Sequence, residues 1–415
     1  MACAVWAIVF YSQAKACGYR RAAIKTIHQD FQVSYRYPVH FTEGLFNPKN
    51  PLFKEVIRAG SVELPKKVLA VVDRGLHRHH PQLLEDIEEY CRKHGKIISL
   101  CGAPVLLPGG EAVKNEPLYI TILHQAIQAA GLCRHSYIAA VGGGALIDTA
   151  GFAAATAHRG VRLIRVPTTV LSQADAAIGV KNSVNALGQK NFLGVFAPPV
   201  AVLNDVNFLT TLSQKDWIGG VAEAVKVALI KDGDFFAFLE DQAGSLAQRD
   251  LNVMQQVIYR CAALHLEHIA GGGDPFEQGN SRPLDFGHWA AHRLELLSGF
   301  ELGHGEAVAV GLALDTTYSY LTGLLPKGAW QRVLELLANL GFALYVPQLH
   351  DRGGILQGLE EFRTHLGGRL AVMLLWEIGQ GLEANEIEPE TVMAAIDLLR
   401  QVALEERAAA RPAVG

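Results

Sequence analysis

The chain has 415 residues, half of them hydrophobic and 19% charged, with a formal net charge of −4. That length points to two or three domains and a large core, and the mild acidity excludes nucleic acid as a bulk electrostatic partner. The six cysteines, Cys3, Cys17, Cys91, Cys101, Cys133 and Cys261, form no CxxC pair. They read as reduced thiols of a cytoplasmic protein and not as a disulfide framework.

Residues 1–30 read as a loosely attached extension. Its one apolar run, Ala2 to Tyr11, is too short to span a membrane. Basic residues follow that run, whereas a secretory signal places them before it. From Lys66 the pattern alternates. KKVLAVVD (66–73) predicts a buried parallel strand ending in Asp73. PQLLEDIEEYCRKHG (81–95) has helical spacing with a Pro start and a Gly stop. KIISL (96–100) predicts a strand, EPLYITILHQAIQAAG (116–131) a helix and SYIAAV (136–141) a third strand. Gly142, Gly143 and Gly144 follow at once, and then a small-residue helix. VRLIRV (161–166) returns as a strand and breaks at Pro167. This alternation implies an α/β domain over 31–212, with a parallel sheet and helices on both faces. After residue 212 the strand signal fades. WIGGVAEAVKVALIKDGDFFAFLEDQ, LNVMQQVIYRCAALHLEHIA, GHWAAHRLELLSG, HGEAVAVGLALDTTYSYLTG and GAWQRVLELLANLG all have helical periodicity. Residues 213–400 therefore read as a mostly α-helical domain, interrupted by one strand-like run, RLAVMLLWEIG (369–379), and followed by a tail over 401–415.

Several blocks could carry chemistry. A strand, three glycines and a helix form a phosphate cradle, because glycine lets the backbone approach an anion at a helix N-terminus. The spacing is not the G-x-G-x-x-G fingerprint, so a tight turn with close helix packing explains it equally well. The block PTTVLSQADAAIGVKNSVNALGQKNFLG (167–194) gathers Asp175, Lys181, Asn185, Lys190 and Asn191 in what reads as a small-residue loop. Lysines there suit a phosphate or carboxylate, although any one of them could be merely solvated. In GGVAEAVKVALI (219–230), Glu223 and Lys226 share one helix face among apolar neighbours. A buried acid and lysine need a metal, a substrate or each other. Glu223 with His288 and His304 has the composition of a three-ligand catalytic zinc site. HRHH (77–80) reads as a solvated turn.

Taken together, GGGALIDTAGFAAATAHRG, VPTTVLSQADAAIGVKNSVN, GQKN, VAEAVKVALI, DFGHWAAH and HGEAVAVG resemble the dehydroquinate synthase family, the sugar phosphate cyclases, over roughly 65–380. The resemblance implies an N-terminal NAD-binding α/β domain, a helical C-terminal domain and an active site between them. It implies that Glu223, His288 and His304 ligate zinc, or cobalt in its place. Gly142, Gly143, Gly144, Asp148, Thr168 and Thr169 would hold NAD, with Asp73, Glu111 and Lys114 near its ribose. Lys181, Asn191 and His292 would hold a sugar phosphate, with Arg159 reaching it from the other subunit of a homodimer. Asp175, Lys190 and Lys226 would face the sugar hydroxyls and the metal. No membrane or nucleic-acid partner is implied.

The chain also departs from that pattern. Dehydroquinate synthases carry a Lys in the helix after the glutamate ligand, an Arg seven residues before the first His ligand and an Asn three before it. Here those positions hold His265, Ser281 (with Arg282 beside it) and Asp285. A carboxylate wants a paired cationic grip, so these exchanges point to a substrate without one. Sedoheptulose 7-phosphate fits, with Asp285 accepting from hydroxyls. The alternative is 3-dehydroquinate synthase acting on 3-deoxy-D-arabino-heptulosonate 7-phosphate, with Arg282 turned into the carboxylate site. A metal-dependent polyol dehydrogenase shares the domain plan but needs no phosphate grip.

Overall fold

The computed structural model describes residues 26–60, 63–271, 275–276 and 283–409. Residues 26–36 carry no regular structure. The chain then runs through β1 (Val39–Thr42), α1 (Leu52–Ala59), β2 (Lys66–Asp73), α2 (Arg74–His79), α3 (Leu83–Lys93), β3 (Ile98–Leu100) and β4 (Val105–Leu107). Next come α4 (Ala112–Asn115), α5 (Pro117–Ala129), β5 (Tyr137–Gly142), α6 (Gly144–Thr156), β6 (Arg162–Pro167), β7 (Lys181–Ala186), β8 (Gln189–Phe196) and β9 (Ala201–Asp205). The helical part comprises α7 (Gln214–Lys231), α8 (Gly233–Asp241), α9 (Ala243–Ala247), α10 (Leu251–Gly271), α11 (His288–Leu297), α12 (His304–Leu321), α13 (Lys327–Asn339) and α14 (Arg352–His365). The strands β10 (Val372–Glu377) and β11 (Gln380–Ala384) and the helix α15 (Pro389–Ala409) close it.

The main sheet has the order β1-β9-β6-β5-β2-β3, with β4 also on β2, and every pairing in it is parallel. The apolar runs read from the sequence become strands because both faces are covered. Val68, Ala70 and Val72 enter one core with α1 and α3, whereas Leu69 and Val71 enter the other with α5 and α6. The chain leaves β2 toward β3 on one side and toward β5 on the other, so the crevice past Asp73 and Gly142 is a topological switch point. A third core gathers the helices from α7 onward and β10.

Four readings need correction. The stretch holding Lys181 and Lys190 is no loop but the antiparallel hairpin β7–β8, turned at Leu187 and Gly188, both at positive φ. HRHH lies largely on α2, which Asp73 caps through Gly75 N at 2.7 Å. The helical run from Trp217 to Gln242 breaks at Asp232, whose side chain caps α8 at Phe235 N and takes a bidentate ion pair from Arg260. The last helix continues to Ala409, into the segment that reads as a tail. No described helix is long and apolar enough to cross a membrane.

Candidate active site

Helices α7, α11 and α12 each bring one residue to a common point. Glu223 sits mid-way along α7 in a run that is buried from Gly220 to Ile230. Its Oε1 is 3.3 Å from His288 Nε2 and 3.2 Å from His304 Nε2. Two glycine contacts allow this approach. A Cβ on Gly305 would lie 2.0 Å from the Gly219 carbonyl oxygen, and one on Gly311 would lie 2.1 Å from that of Gly287. Any larger residue would force α12 away from α7 or from the start of α11. Gly287 also takes the left-handed conformation, φ 76°, that opens α11 directly before His288.

The other ring nitrogens of the two histidines are also held. His288 Nδ1 donates to the Phe286 carbonyl at 3.2 Å, and His304 Nδ1 donates to Glu295 Oε2 at 3.2 Å. Each histidine is thus fixed so that Nε2 faces Glu223, the arrangement in which imidazole ligates a metal while its second nitrogen is held by a carbonyl or carboxylate. One carboxylate and two Nε2 atoms suit zinc with an open coordination position. Burial opposes a charge on His304, but Glu295 and the hydrogen bonds to Glu223 and Glu295 outweigh it and raise its pKa to about 9. Without a metal, that proton offsets the charge between the two acids, and a dication entering there would release it. His292, Glu295 and His304 form a second close group of potential ligands.

Around this point the charges interlock. Lys226 Nζ is 2.5 Å from Glu223 Oε2 and 4.0 Å from Asp175 Oδ2. Burial disfavours the ammonium, yet Glu223, Asp175 and, more weakly, Asp285 hold its pKa above the ordinary lysine value. Asp175 stands on a single π-helical turn, Ser172–Ala176, anchored by Gln173 Nε2 donating to the carbonyls of Pro167 and Asp205. Its Oδ1 is 2.5 Å from His265 Nδ1. Burial pushes Asp175 up, but Lys226 and His265 bring it down to about 2 against the charge of Glu223. Lys190 Nζ lies 2.9 Å from Glu295 Oε1 and 3.8 Å from Glu111 Oε1. Glu295 is held below the usual carboxylate range, because His304 and Lys190 outweigh its burial. His292 is driven down to about 3 by burial, then by His288, Lys190 and His304, and stays neutral.

The sheet end carries a separate polar group. Lys114 Nζ donates to Asp148 Oδ2 at 2.7 Å, Asn191 Oδ1 at 2.5 Å and Ser183 Oγ at 3.3 Å. Asn185 Nδ2 donates to Glu111 and Asn115 at 2.7 Å each. Gly142 ends β5, Gly143 caps α6, and a Cβ on Gly144 would come within 2.9 Å of Ala176 Cβ. Thr168 N donates to the Gly142 carbonyl, and Thr169 is tied to Ser172 Oγ at 2.8 Å. Asp73 closes the same crevice from β2. A helix N-terminus at a switch point, with no side chain on its glycines, suits the pyrophosphate of a dinucleotide.

The structure therefore joins Glu223, His288, His304, Lys226, Asp175, Lys190 and His292 in one cluster, and Glu111, Lys114, Asp148 and Asn191 in an adjoining one. Asp285 ends a short 3-10 turn, Pro283–Asp285, before the first histidine. Lys181 and Arg159 are exposed, Lys181 at the start of β7 and Arg159 at φ 62° after α6. Arg282 and Ser281 lie outside the described residues. Two residues were missed as members of the site. Glu295 was legible, since it follows His288 by seven and His292 by three on one helix face. His265 stood out only as a replaced lysine, not as the partner of Asp175.

The family profile "3-dehydroquinate synthase N-terminal" matches residues 104–219, and "3-dehydroquinate synthase C-terminal" matches 220–356. The chain belongs to the dehydroquinate synthase family. A 3-dehydroquinate synthase of Pelobacter propionicus is 38% identical over 61% of this chain and 70% of its own length. One from Acinetobacter baumannii is 30% identical over 90% of this chain and 98% of its own. The solved 2-epi-5-epi-valiolone synthase of Streptomyces hygroscopicus subsp. jinggangensis, with NAD+ and Zn2+ bound, superposes with a TM-score of 0.81. It is 28% identical and covers 91% of this chain and 100% of its own. The fold is thus that of the sugar phosphate cyclases, a parallel sheet followed by a mostly helical part, and the chain is an enzyme of that family.

Proposed function

We propose that this cyclase is an NAD- and zinc-dependent carbon–oxygen lyase that turns a seven-carbon ketose 7-phosphate into a carbocycle, with sedoheptulose 7-phosphate as its preferred substrate. The overall change is oxidation of a ring hydroxyl, β-elimination of phosphate, re-reduction, ring opening and intramolecular aldol closure, with no net redox. NAD at the Gly142–Gly144 turn supplies reversible hydride acceptance, and zinc on Glu223, His288 and His304 supplies polarisation of a ring oxygen. The chain's residues do the rest. Lys226, kept charged between Glu223 and Asp175, donates to ring oxygens. Asp175, ionised and held by His265, accepts from hydroxyls. Lys181 and Asn191 grip the phosphate, and Lys190 faces the sugar hydroxyls beside the metal. Neutral His292 adds an N–H without adding charge, so the leaving group is held but not trapped. Glu111, Lys114, Asp148, Thr168, Thr169 and Asp73 position the dinucleotide.

The surroundings of Lys226 support the choice of substrate. Three carboxylates, Glu223, Asp175 and Asp285, act on this one lysine, and His265 is already committed to Asp175. A substrate carboxylate brought there would meet like charge, whereas hydroxyls would find acceptors. A second reading, 3-dehydroquinate synthase, rests on the relatives of that name and on Arg282. The exposed apolar residues Leu187, Phe192, Leu193 and Phe196 of the β7–β8 hairpin support a homodimer, with Arg159 serving the partner's phosphate pocket. The free Cys91, Cys101, Cys133 and Cys261 are consistent with the cytoplasm.

The test is to incubate the purified chain, with NAD+ and Zn2+, separately with sedoheptulose 7-phosphate and with 3-deoxy-D-arabino-heptulosonate 7-phosphate, following phosphate release. Turnover of the first alone is expected. Turnover of only the carboxylated sugar would establish the second reading, and net NADH formation from a plain polyol would replace both with a dehydrogenase.

A further inference from the structure

The buried carboxylate of Asp315 has no part in the chemistry above. It lies on α12, three turns beyond His304, and is 2% exposed. Its hydrogen-bond partners are two neutral donors. Gly287 N donates to Oδ2 at 2.9 Å, and Trp289 Nε1 donates to Oδ1 at 2.9 Å. These donors flank His288 on either side. Among the described residues no ion pair holds this acid, so its burial is costly unless the two bonds are needed. Both act on the left-handed turn at Gly287, where the backbone of α11 already touches that of α12 at Gly311. The Phe286 carbonyl that orients the His288 ring belongs to the same turn.

We propose that Asp315 is a positioning residue for the metal ligand His288: it clamps the Phe286–Trp289 turn to the helix that carries His304, and so fixes the spacing of the two histidines. This rests on the reading of Glu223, His288 and His304 as a metal site. A simple isostere cannot keep both bonds. An asparagine offers one oxygen, so one of the two donors would face an NH2 group. Trp289 contributes its indole N–H to this clamp besides its apolar packing.

The experiment measures zinc affinity of the full chain by competition with a chromophoric chelator, and the visible spectrum of the cobalt-substituted protein. The variants are Asp315→Asn, Trp289→Phe and Ser319→Ala. Ser319 is buried one turn further along α12, where its hydroxyl bonds the Asp315 carbonyl and Leu375 N but touches nothing at the ligand turn. Asp315→Asn and Trp289→Phe should each weaken zinc binding about tenfold or more, as loss of an outer contact to a metal ligand does, and should shift the cobalt bands. Ser319→Ala should leave both unchanged. If Asp315→Asn does not fold, Trp289→Phe decides. Wild-type zinc affinity and cobalt spectrum in Trp289→Phe, or equal loss in Ser319→Ala, overturns the proposal while leaving the metal site standing. A wild-type chain that takes up no zinc overturns both.

Discussion

Replacing Gly305 by alanine tests how the ligand-bearing helices are brought together. On an exposed helix the exchange would be favourable by about 1 kcal/mol, because alanine is the better helix former. Here the new Cβ would lie 2.0, 2.4 and 2.5 Å from the O, C and Cα of Gly219, all backbone atoms that no rotamer change can move. Ordinary contact begins at 3.4 Å, so α7 and α12 must part by roughly 1.4 Å. Overpacking of that kind costs about 1–3 kcal/mol, which cancels or exceeds the helical gain. The larger effect falls on the metal. Glu223 lies one turn beyond Gly219, and His304 immediately precedes Gly305, so the parting separates the pair now 3.2 Å apart. Ligand distances tolerate only about 0.2 Å. Zinc affinity should therefore fall at least 100-fold, beyond the range seen for lost outer contacts, while the apo melting temperature changes little or drops. Gly328→Ala is the control: nothing lies within 4 Å of its added Cβ, so it should raise stability and leave zinc binding alone. Chelator competition and thermal melting of both variants read the outcome. A Gly305→Ala protein with wild-type zinc affinity and a raised melting temperature would refute the reasoning.

Glu295→Gln leaves one acceptor oxygen for both His304 and Lys190 and removes the negative charge beside them, so zinc affinity should fall about 10–100-fold; an unchanged dissociation constant would show that Glu295 serves Lys190 alone. Asp285→Asn removes one of the negative charges around Lys226, and should raise the ratio of kcat/KM for the carboxylated over the uncarboxylated heptulose phosphate about tenfold, near 1.4 kcal/mol. No change in that ratio would separate Asp285 from substrate choice. Asp315 predicts a pH dependence. Burial raises its folded pKa to about 7 from the ordinary 3.8, against the opposing bonds from Trp289 and Gly287. Between those values the folded chain binds more protons, so its contribution to stability is full below about pH 4 and is lost as pH rises toward 7, by up to about 1.4 kcal/mol per unit. Denaturant titration of the apo protein from pH 4 to 7 should show this slope, and Asp315→Asn should flatten it; parallel curves would mean that the carboxyl titrates normally.

The central strands and the long helices were legible because their burial leaves a period in the sequence. KKVLAVVD has apolar residues on both faces, and the sheet is covered on both. The β7–β8 hairpin was not legible, for two reasons. Its turn needs positive φ at two consecutive residues, usually signalled by Asn-Gly or Asp-Gly, but here the first is Leu187. Its first strand is polar and small, Lys181, Asn182 and Ser183 among its residues, and leaves no apolar alternation to read. In the site, residue types and helical spacing announced Glu223, Lys226, His288 and His304, whereas His292 came from the family resemblance alone. Tertiary contacts left no such trace. Asp315 meets Gly287 and Trp289 across a helix crossing, and His265 meets Asp175 across ninety residues of chain. Each looks like an ordinary helix residue until the packing is known.

The buried lysines of the two clusters are each balanced from within the chain. Lys114, Lys190 and Lys226 are each less than 13% exposed and each faces a carboxylate: Asp148, Glu295 and Glu223. Unpaired, each ammonium would be costly to bury and would tend to lose its proton. Two of the acids are shared. Glu223 serves Lys226 through one oxygen and the two metal-facing histidines through the other, while Glu295 divides in the same way between Lys190 and His304. A dication at the histidines would draw charge from Glu223 and leave Lys226 freer to bind an anionic or hydroxylated substrate. Substrate at Lys190 would in turn leave Glu295 more fully to His304. On the proposed assignment, the metal and substrate subsites would be coupled through Glu223 and Glu295, and by thermodynamic reciprocity each would strengthen the other by the same factor. If the histidines hold the metal, this sharing would tie its occupancy to the readiness of Lys226 and Lys190 for substrate.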